Sequence, residues 1–181
     1  EEMAMYRDSP DDSIQDELDE LVFENHALGR NILGTEETVS LHIEKMLANS
    51  KPLPQDEGEY LVLVWELKTT SKVIGQSNIS MQSKDHMRGE VGWVTHQDFQ
   101  RQGFAYEASM AMLKFGFENM GLHRVVAEMD TRVAGSAQVA LKLGMRKEAE
   151  FREVEFFKGE WCDMWLFAIL KSEFENSGKA S

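Results

Sequence analysis

One run constrains the fold more than any other: Tyr60-Leu-Val-Leu-Val-Trp-Glu-Leu67, eight residues with a single charge. Rich in β-formers and nearly continuous in its apolar character, it reads as a strand buried on both faces. Lys68 to Lys72 reads as a turn, Val73 to Ser80 as a second strand and Gly89 to Thr95 as a third. Three strands joined by short turns make an antiparallel meander.

The pattern then changes period. After a polar loop, His96 to Gln102, a long amphipathic helix is predicted from about Gly103 to Met120, with Ala108, Met112, Phe115 and Phe117 in its apolar stripe. Leu122 to Met129 reads as a short strand, and Gly135 to Leu143 as a helix with Gly144 at its C-cap. Lys147 to Phe157 and Trp161 to Leu170 read as a hairpin turning at Lys158-Gly159. Upstream, Thr35 stands as an N-cap before Glu36 and Glu37. Val39, Leu41, Ile43, Met46 and Leu47 then recur near helical spacing until Pro52 and Pro54 stop the run. The order is helices, three strands, helix, strand, helix, hairpin. That is an α/β (α+β) arrangement: one mixed, mostly antiparallel twisted sheet flanked by helices, with a strand–helix–strand crossover in the middle.

The 181 residues suit one domain. Within it, residues 1–58 are expected to be helical, 59–171 to form the core and 172–181 to be a flexible tail. The chain opens at Glu1, without an initiator Met. No window approaches the roughly 20 apolar residues of a membrane-spanning helix, and no secretory signal is visible. The single cysteine, Cys162, has no intramolecular partner, which fits a reducing, cytoplasmic setting.

The net charge of −13 is unevenly placed. Residues 1–60 hold 4 Lys/Arg against 16 Asp/Glu, whereas residues 61–181 hold 15 against 16. Such an acidic surface argues against direct nucleic-acid binding, which needs a basic footprint. Either the N-terminal acidity draws in a cationic substrate, or it is a solubilising stretch.

The segment from Val91 to Ala108 carries the functional reading. A strand runs into a polar loop, and Gln100-Arg101-Gln102-Gly103-Phe104-Ala105 opens a helix. Free N–H groups and the positive end of the helix dipole make an anion site there. Gly103 lets a phosphate approach the backbone, small Ala105 leaves room, and Arg101 adds a positive charge. These parts suit a pyrophosphate, although an ordinary capped helix start has the same outline.

Here the chain resembles the GNAT acetyltransferases. Gln100-x-x-Gly103-x-Ala105 matches their Gln/Arg-x-x-Gly-x-Gly/Ala signature for the pyrophosphate of acetyl-CoA. Gly92-Trp93-Val94 resembles the splayed, bulged family strand whose backbone bonds the pantetheine arm. Downstream, Tyr106-Glu107-Ala108, Gly121 to Val125, Ser136-Ala137, Lys142 to Met145 and Phe156 to Trp161 fall in the order and spacing of RimJ/RimL-like proteins. The resemblance covers about residues 60 to 170. The family's usual first strand is expected to be absent.

What the resemblance implies is a single GNAT-like domain whose N-terminal helices cover the acceptor site. The implied reaction moves an acetyl group from acetyl-CoA, the co-substrate, to a primary amine: a protein N-terminus such as a ribosomal protein's, or a small cationic amine. Trp93, Val94, Gln100, Arg101, Gln102, Gly103, Phe104, Ala105 and Tyr106 are the implied cofactor-binding residues. A homodimer is common among similar proteins. The alternative is a catalytically weak CoA-binding or regulatory module that keeps the fold.

Aminolysis of a thioester needs a path for the ammonium proton, a donor for the oxyanion and a proton for sulfur. It needs no metal, and no cluster here has metal-ligand spacing. Nor is there a Gly-x-Ser-x-Gly elbow. Ser136 aligns with the Ser of the family's Asn-x-x-Ser segment and is the candidate donor to sulfur; its other reading is a helix N-cap. Val133 stands where that segment has Asn. Glu155 is the candidate general base, two residues after Glu153; its other reading is a solvated strand carboxylate. Glu90 and His96 are the other candidates, and His96 alternatively shapes the loop. Trp93, Phe156, Phe157 and Trp161 either wall a pocket or belong to the core. Cys162 reads as a half-buried strand residue, since no neighbour in sequence activates it.

Overall fold

A computed structural model describes residues 3–7, 51–67, 69–70, 72–157 and 159–177, with the backbone alone for residues 3–7 and Ser177. The chain opens on a strand, β1 (Met3–Arg7), antiparallel to β2 (Tyr60–Leu67). This corrects two expectations, that residues 1–58 are helical and that the first strand is missing. Five residues carry too short a pattern to declare a strand; the free edge of β2 supplies the backbone partner, from Met3 opposite Leu67 to Arg7 opposite Leu63. The helix expected through Val39 to Leu47 lies outside the described residues.

The meander follows as expected: β2 pairs antiparallel with β3 (Lys72–Ser83), and β3 with β4 (Arg88–Thr95). In β2, Leu61, Val64, Trp65 and Leu67 are buried; Val64 and Trp65, being adjacent, point to opposite faces, so the strand is covered on both. Beyond a single 3₁₀ turn at Gln97–Phe99 comes α1 (Phe104–Glu118), then β5 (Arg124–Asp130) and α2 (Ala134–Lys142). The hairpin is β6 (Arg146–Phe157) and β7 (Glu160–Leu170). The seven strands of the described residues form one sheet in the order β1-β2-β3-β4-β5-β7-β6. The pair β4–β5 is parallel and every other pair is antiparallel. No helix among the described residues is long and apolar enough to cross a membrane.

Helix α1 buries Phe104, Ala108, Ser109, Met112, Leu113, Gly116 and Phe117. That stripe follows the 3.6-residue period, with Phe115 on its half-buried flank. Gly116 sets the approach: a Cβ there would come 2.5 Å from Cδ1 of Ile79 on β3. Alternate residues of the strands, including Ile79, Val91, Val125, Ala127, Met129, Phe167 and Ile169, complete the main core under the helices. A smaller core joins Trp65, Leu67 and Ile74 to Phe104 and Ala108, tying the start of α1 to the meander.

The flexible tail expected from residue 172 is helical over the residues described there. Lys171–Ser177 forms a further helix, α3, rather than flexible chain. Phe174 lies against Phe117, ring centroids 5.0 Å apart, and a Glu173 carboxylate oxygen accepts from the Leu170 N–H at 2.8 Å. An apolar anchor and a satisfied N–H explain the order.

Candidate functional site

Parallel pairing between β4 and β5 lasts for three rungs: Arg88 with Arg124, Gly89 with Val125, Glu90 with Val126. Beyond Glu90 the strands part. Val91 to Thr95 keep β3 as partner, and Ala127 to Asp130 keep β7. Among the described residues, the facing edges of β4 and β5 thus have no partner strand at their carboxyl ends, which is where open α/β sheets bind ligands. The splay expected of Gly92-Trp93-Val94 is present, but the bulge is not: β3–β4 register runs unbroken from Gly89 to Thr95. Irregularities fall instead at Trp65/Glu66 in β2–β3 and at Met81/Ser83 in β3–β4. The strands therefore part without a bulge in β4 at these residues.

Both parallel strands lead into helices, so the N-termini of α1 and α2 lie at this same end of the sheet. Neither N-cap, Gly103 or Val133, makes a side-chain capping bond. Their first-turn N–H groups are therefore free of any such partner, and both dipoles present their positive ends. Gly103 adopts φ +97° and Arg101 φ +62°, two left-handed residues that curl the loop. No described residue lies within 4 Å of a Cβ built on Gly103, so among these residues the space in front of the helix is open. A hollow of about 470 Å³ there is lined by Gln102, Gly103, Phe104, Tyr106, Glu107 and Met110.

Sequence-selected loop residues divide their work. Gln100 Nε2 donates to Thr95 O at 3.1 Å and Gln102 Nε2 to Asp98 O at 3.0 Å, so both amides brace the loop. Phe104 is buried in the smaller core and has only its backbone to offer a ligand. Arg101 is exposed, Ala105 half-buried, and Tyr106 is 38% exposed beside the hollow. Trp93 is half-buried against both cores, and Val94, also half-buried, pairs with Gln76. His96 shapes the loop: its Nδ1 accepts from the Asp98 N–H at 3.2 Å, capping the 3₁₀ turn.

The opposite face of the sheet, away from α1 and α2, gathers carboxylates. Glu90 and Glu128 alternate with core residues of β4 and β5, and Glu155 pairs with Cys162 across β6–β7. Glu90 is half-buried and holds its proton more tightly than an ordinary glutamate. Burial is the main cause, then the negative charge of Glu128; Arg88 opposes, and Glu155 adds to the effect. Three strands thus bring three carboxylates within electrostatic reach. Sequence reading selected Glu155 and Glu90 but missed Glu128, whose only signal was its polar place in an apolar strand.

Ser136 is not the N-cap; Val133 is, and the Ser136 N–H donates to Val133 O at 3.1 Å. The half-buried Ser136 sits in the first turn of α2, on the helix side of the sheet, whereas Glu155 is on the other. Phe156 and Trp161 are neither core nor enclosed: 62% and 59% exposed, they meet edge-to-face at 5.2 Å on the sheet's edge hairpin. Phe157 is half-buried. Cys162 is buried, and Arg132 donates to its sulfur at 2.9 Å.

Residues 15–146 match the family model for the acetyltransferase (GNAT) domain. The uncharacterized N-acetyltransferase YnaD of Bacillus subtilis (strain 168) is 39% identical over 85 residues, 47% of this chain and 50% of that protein. The uncharacterized N-acetyltransferase p20 of Bacillus licheniformis is 30% identical over 108 residues, 60% of this chain and 61% of that protein. The chain thus spans half to three fifths of the length of these relatives. Among solved structures, a GNAT-family acetyltransferase from Bacillus anthracis superposes with a TM-score of 0.71 at 24% identity, covering 95% of this chain and 96% of that one. The spermidine N-acetyltransferase of Vibrio cholerae, in complex with CoA and spermine, gives 0.74 at 16% identity, covering 96% and 98%. These two likenesses are of fold. With a splayed parallel pair, an open helix N-terminus after it and a family match over most of its length, the chain belongs to the GNAT acetyltransferase family.

Proposed function

We propose that this protein is an acetyl-CoA-dependent N-acetyltransferase of the RimJ/RimL-like branch, acting on a cationic primary amine. The observation that carries the reading is the opening of β4 from β5 beyond Glu90, with two helix N-termini at its open end. The site fits the co-substrate: free N–H groups and Arg101 suit a pyrophosphate, and the open space at Gly103 admits it. Acetyl-CoA, when bound, supplies an activated acetyl thioester. The unpaired edge of Val91 to Thr95 offers backbone donors and acceptors to its amide-bearing arm.

Glu90, Glu128 and Glu155 suit an ammonium-bearing acceptor. Glu155, exposed on the hairpin, takes the proton that the amine must lose before attack, and Glu90 keeps the approach negative. Ser136 returns a proton to the departing sulfur from the helix side. The acidity of residues 1–60 adds to the attraction for a basic peptide terminus or a polyamine.

Calorimetric titration of acetyl-CoA tests the donor site, and thiol release with basic peptides and polyamines tests transfer. Val133 favours a second reading, a catalytically weak CoA-binding module, because its side chain offers no hydrogen-bonding group at the N-cap of α2. Binding without thiol release from any amine would select that reading; no binding at all would sink both.

A further inference from the structure

Arg132 has no part in the scheme above, yet it lies in the loop between the carboxyl end of β5 and α2. The last β5–β7 rung joins Asp130 to Met164, and Glu160 to Asp163 of β7 run on past the end of β5. Arg132 spans that overhang. Its Nε donates to the two carboxylate oxygens of buried Asp130 at 3.0 and 3.1 Å, and its Nη2 to Oδ2 at 2.7 Å. Nη1 pairs with Glu160, and Nη2 also reaches Cys162 Sγ at 2.9 Å. The backbone repeats the connection. The Arg132 N–H donates to Asp130 Oδ1 at 2.7 Å, and the Thr131 N–H to Asp163 O at 3.0 Å.

A planar guanidinium can hold several acceptors at fixed angles; an ammonium is a point charge and cannot. The three-residue loop Thr131 to Val133 is therefore fastened to β7 along one side. From its other end α2 departs, and Val133 gives that helix no side-chain cap. Without a side-chain cap to set the entry angle, the Arg132 contacts add to the Val133 N–H bond to Asp130 O at 3.0 Å and to the burial of Ala137 and Ala140 in fixing it.

We infer that Arg132 is a positioning residue: by locking the β5–α2 loop onto β7, it holds the N-terminus of α2 and Ser136 against the open end of the splay. The inference rests on the acetyl-transfer reading, because the thioester end of the donor is what such a wall keeps in register. A small displacement of that wall misaligns the reacting atoms and leaves the carboxylates that receive the amine untouched.

Two variants test it. Arg132→Lys keeps a cation beside Asp130 but gives up the fork. Glu160→Gln removes one arm at an exposed carboxylate. In thiol-release assays, Arg132→Lys should lower kcat about tenfold while the KM for the amine stays within about twofold. Glu160→Gln should lower kcat by less and melt where the parent protein does. Unchanged kcat in both variants, with acetyl-CoA binding intact, overturns the inference. So does a fall in kcat matched by the amine KM and the melting temperature, which is general destabilisation. If the parent protein does not bind acetyl-CoA in calorimetry, the acetyl-transfer reading fails first and takes this inference with it.

Discussion

Glu90 and Val126 form the last rung that β4 and β5 share, so the residue where the sheet opens is itself an acid held partly out of water. One backbone event therefore does two things. It frees two strand edges, and it sets a carboxylate at their junction, facing Glu128 and Glu155.

Glu90 should reveal itself in the pH dependence of stability. Its folded-state pKa lies above that of an ordinary glutamate, chiefly through burial and then through Glu128. The folded protein keeps this proton to higher pH than the unfolded chain does, so stability falls as pH rises through that window. Glu90→Gln removes the titration. Above the window the variant should melt higher than the parent protein, and the gain should vanish near the acid end. Parallel melting curves across the range would refute the burial of this charge.

Replacing Gly103 separates strain from charge. A side chain there meets no neighbour but must adopt φ +97°, which costs Ala about 1 kcal/mol of stability. Gly103→Asp adds a negative charge at the proposed phosphate cradle. Calorimetry should show acetyl-CoA affinity falling at least about tenfold more for Asp than for Ala, a difference of about 1.4 kcal/mol. Equal affinities would place the pyrophosphate elsewhere.

Glu155→Gln should lower kcat by about a hundredfold and leave acetyl-CoA binding nearly unchanged, as loss of a general base does. Turnover equal to the parent's would remove Glu155 from the chemistry and leave Glu90 as the carboxylate to mutate next.

Two tryptophans should behave in opposite ways. Trp65 is fully buried, with Nε1 donating to Ser77 Oγ at 3.1 Å, so Trp65→Ala should cost about 3–5 kcal/mol in denaturant unfolding. Trp161 is 59% exposed, and Trp161→Ala should change stability by less than about 0.5 kcal/mol.

Ser109 offers a gain. Its hydroxyl is buried in α1 without a hydrogen-bond partner, and an unsatisfied buried hydroxyl costs about 1–3 kcal/mol. Ser109→Ala removes that penalty and improves helix propensity, so the melting temperature should rise.

Long, strongly periodic elements were legible in the sequence: β2 from its apolar run, α1 from its stripe, and the hairpin from its turn. So was the start of α1 at Gly103, because a glycine at a helix start carries its own local geometry. β1 and α3 were not legible. Five and seven residues hold too little pattern, and each depends on a distant partner, β2 for one and Phe117 for the other. The exposure of Phe156 and Trp161 was hidden too, since an aromatic run reads the same in a core or on an edge.

The sequence by itself determined the long elements, β2, α1 and the hairpin, and the helix start at Gly103, because those depend on neighbours within a few residues. Only the tertiary structure decided where β4 leaves β5, that Glu90, Glu128 and Glu155 share a face, and that Arg132 fastens the start of α2 to β7. Periodicity records that a residue will be covered, or left to water. It does not record which strand will lie beside it, and charges as far apart in sequence as Glu90 and Glu155 interact only once that pairing is made.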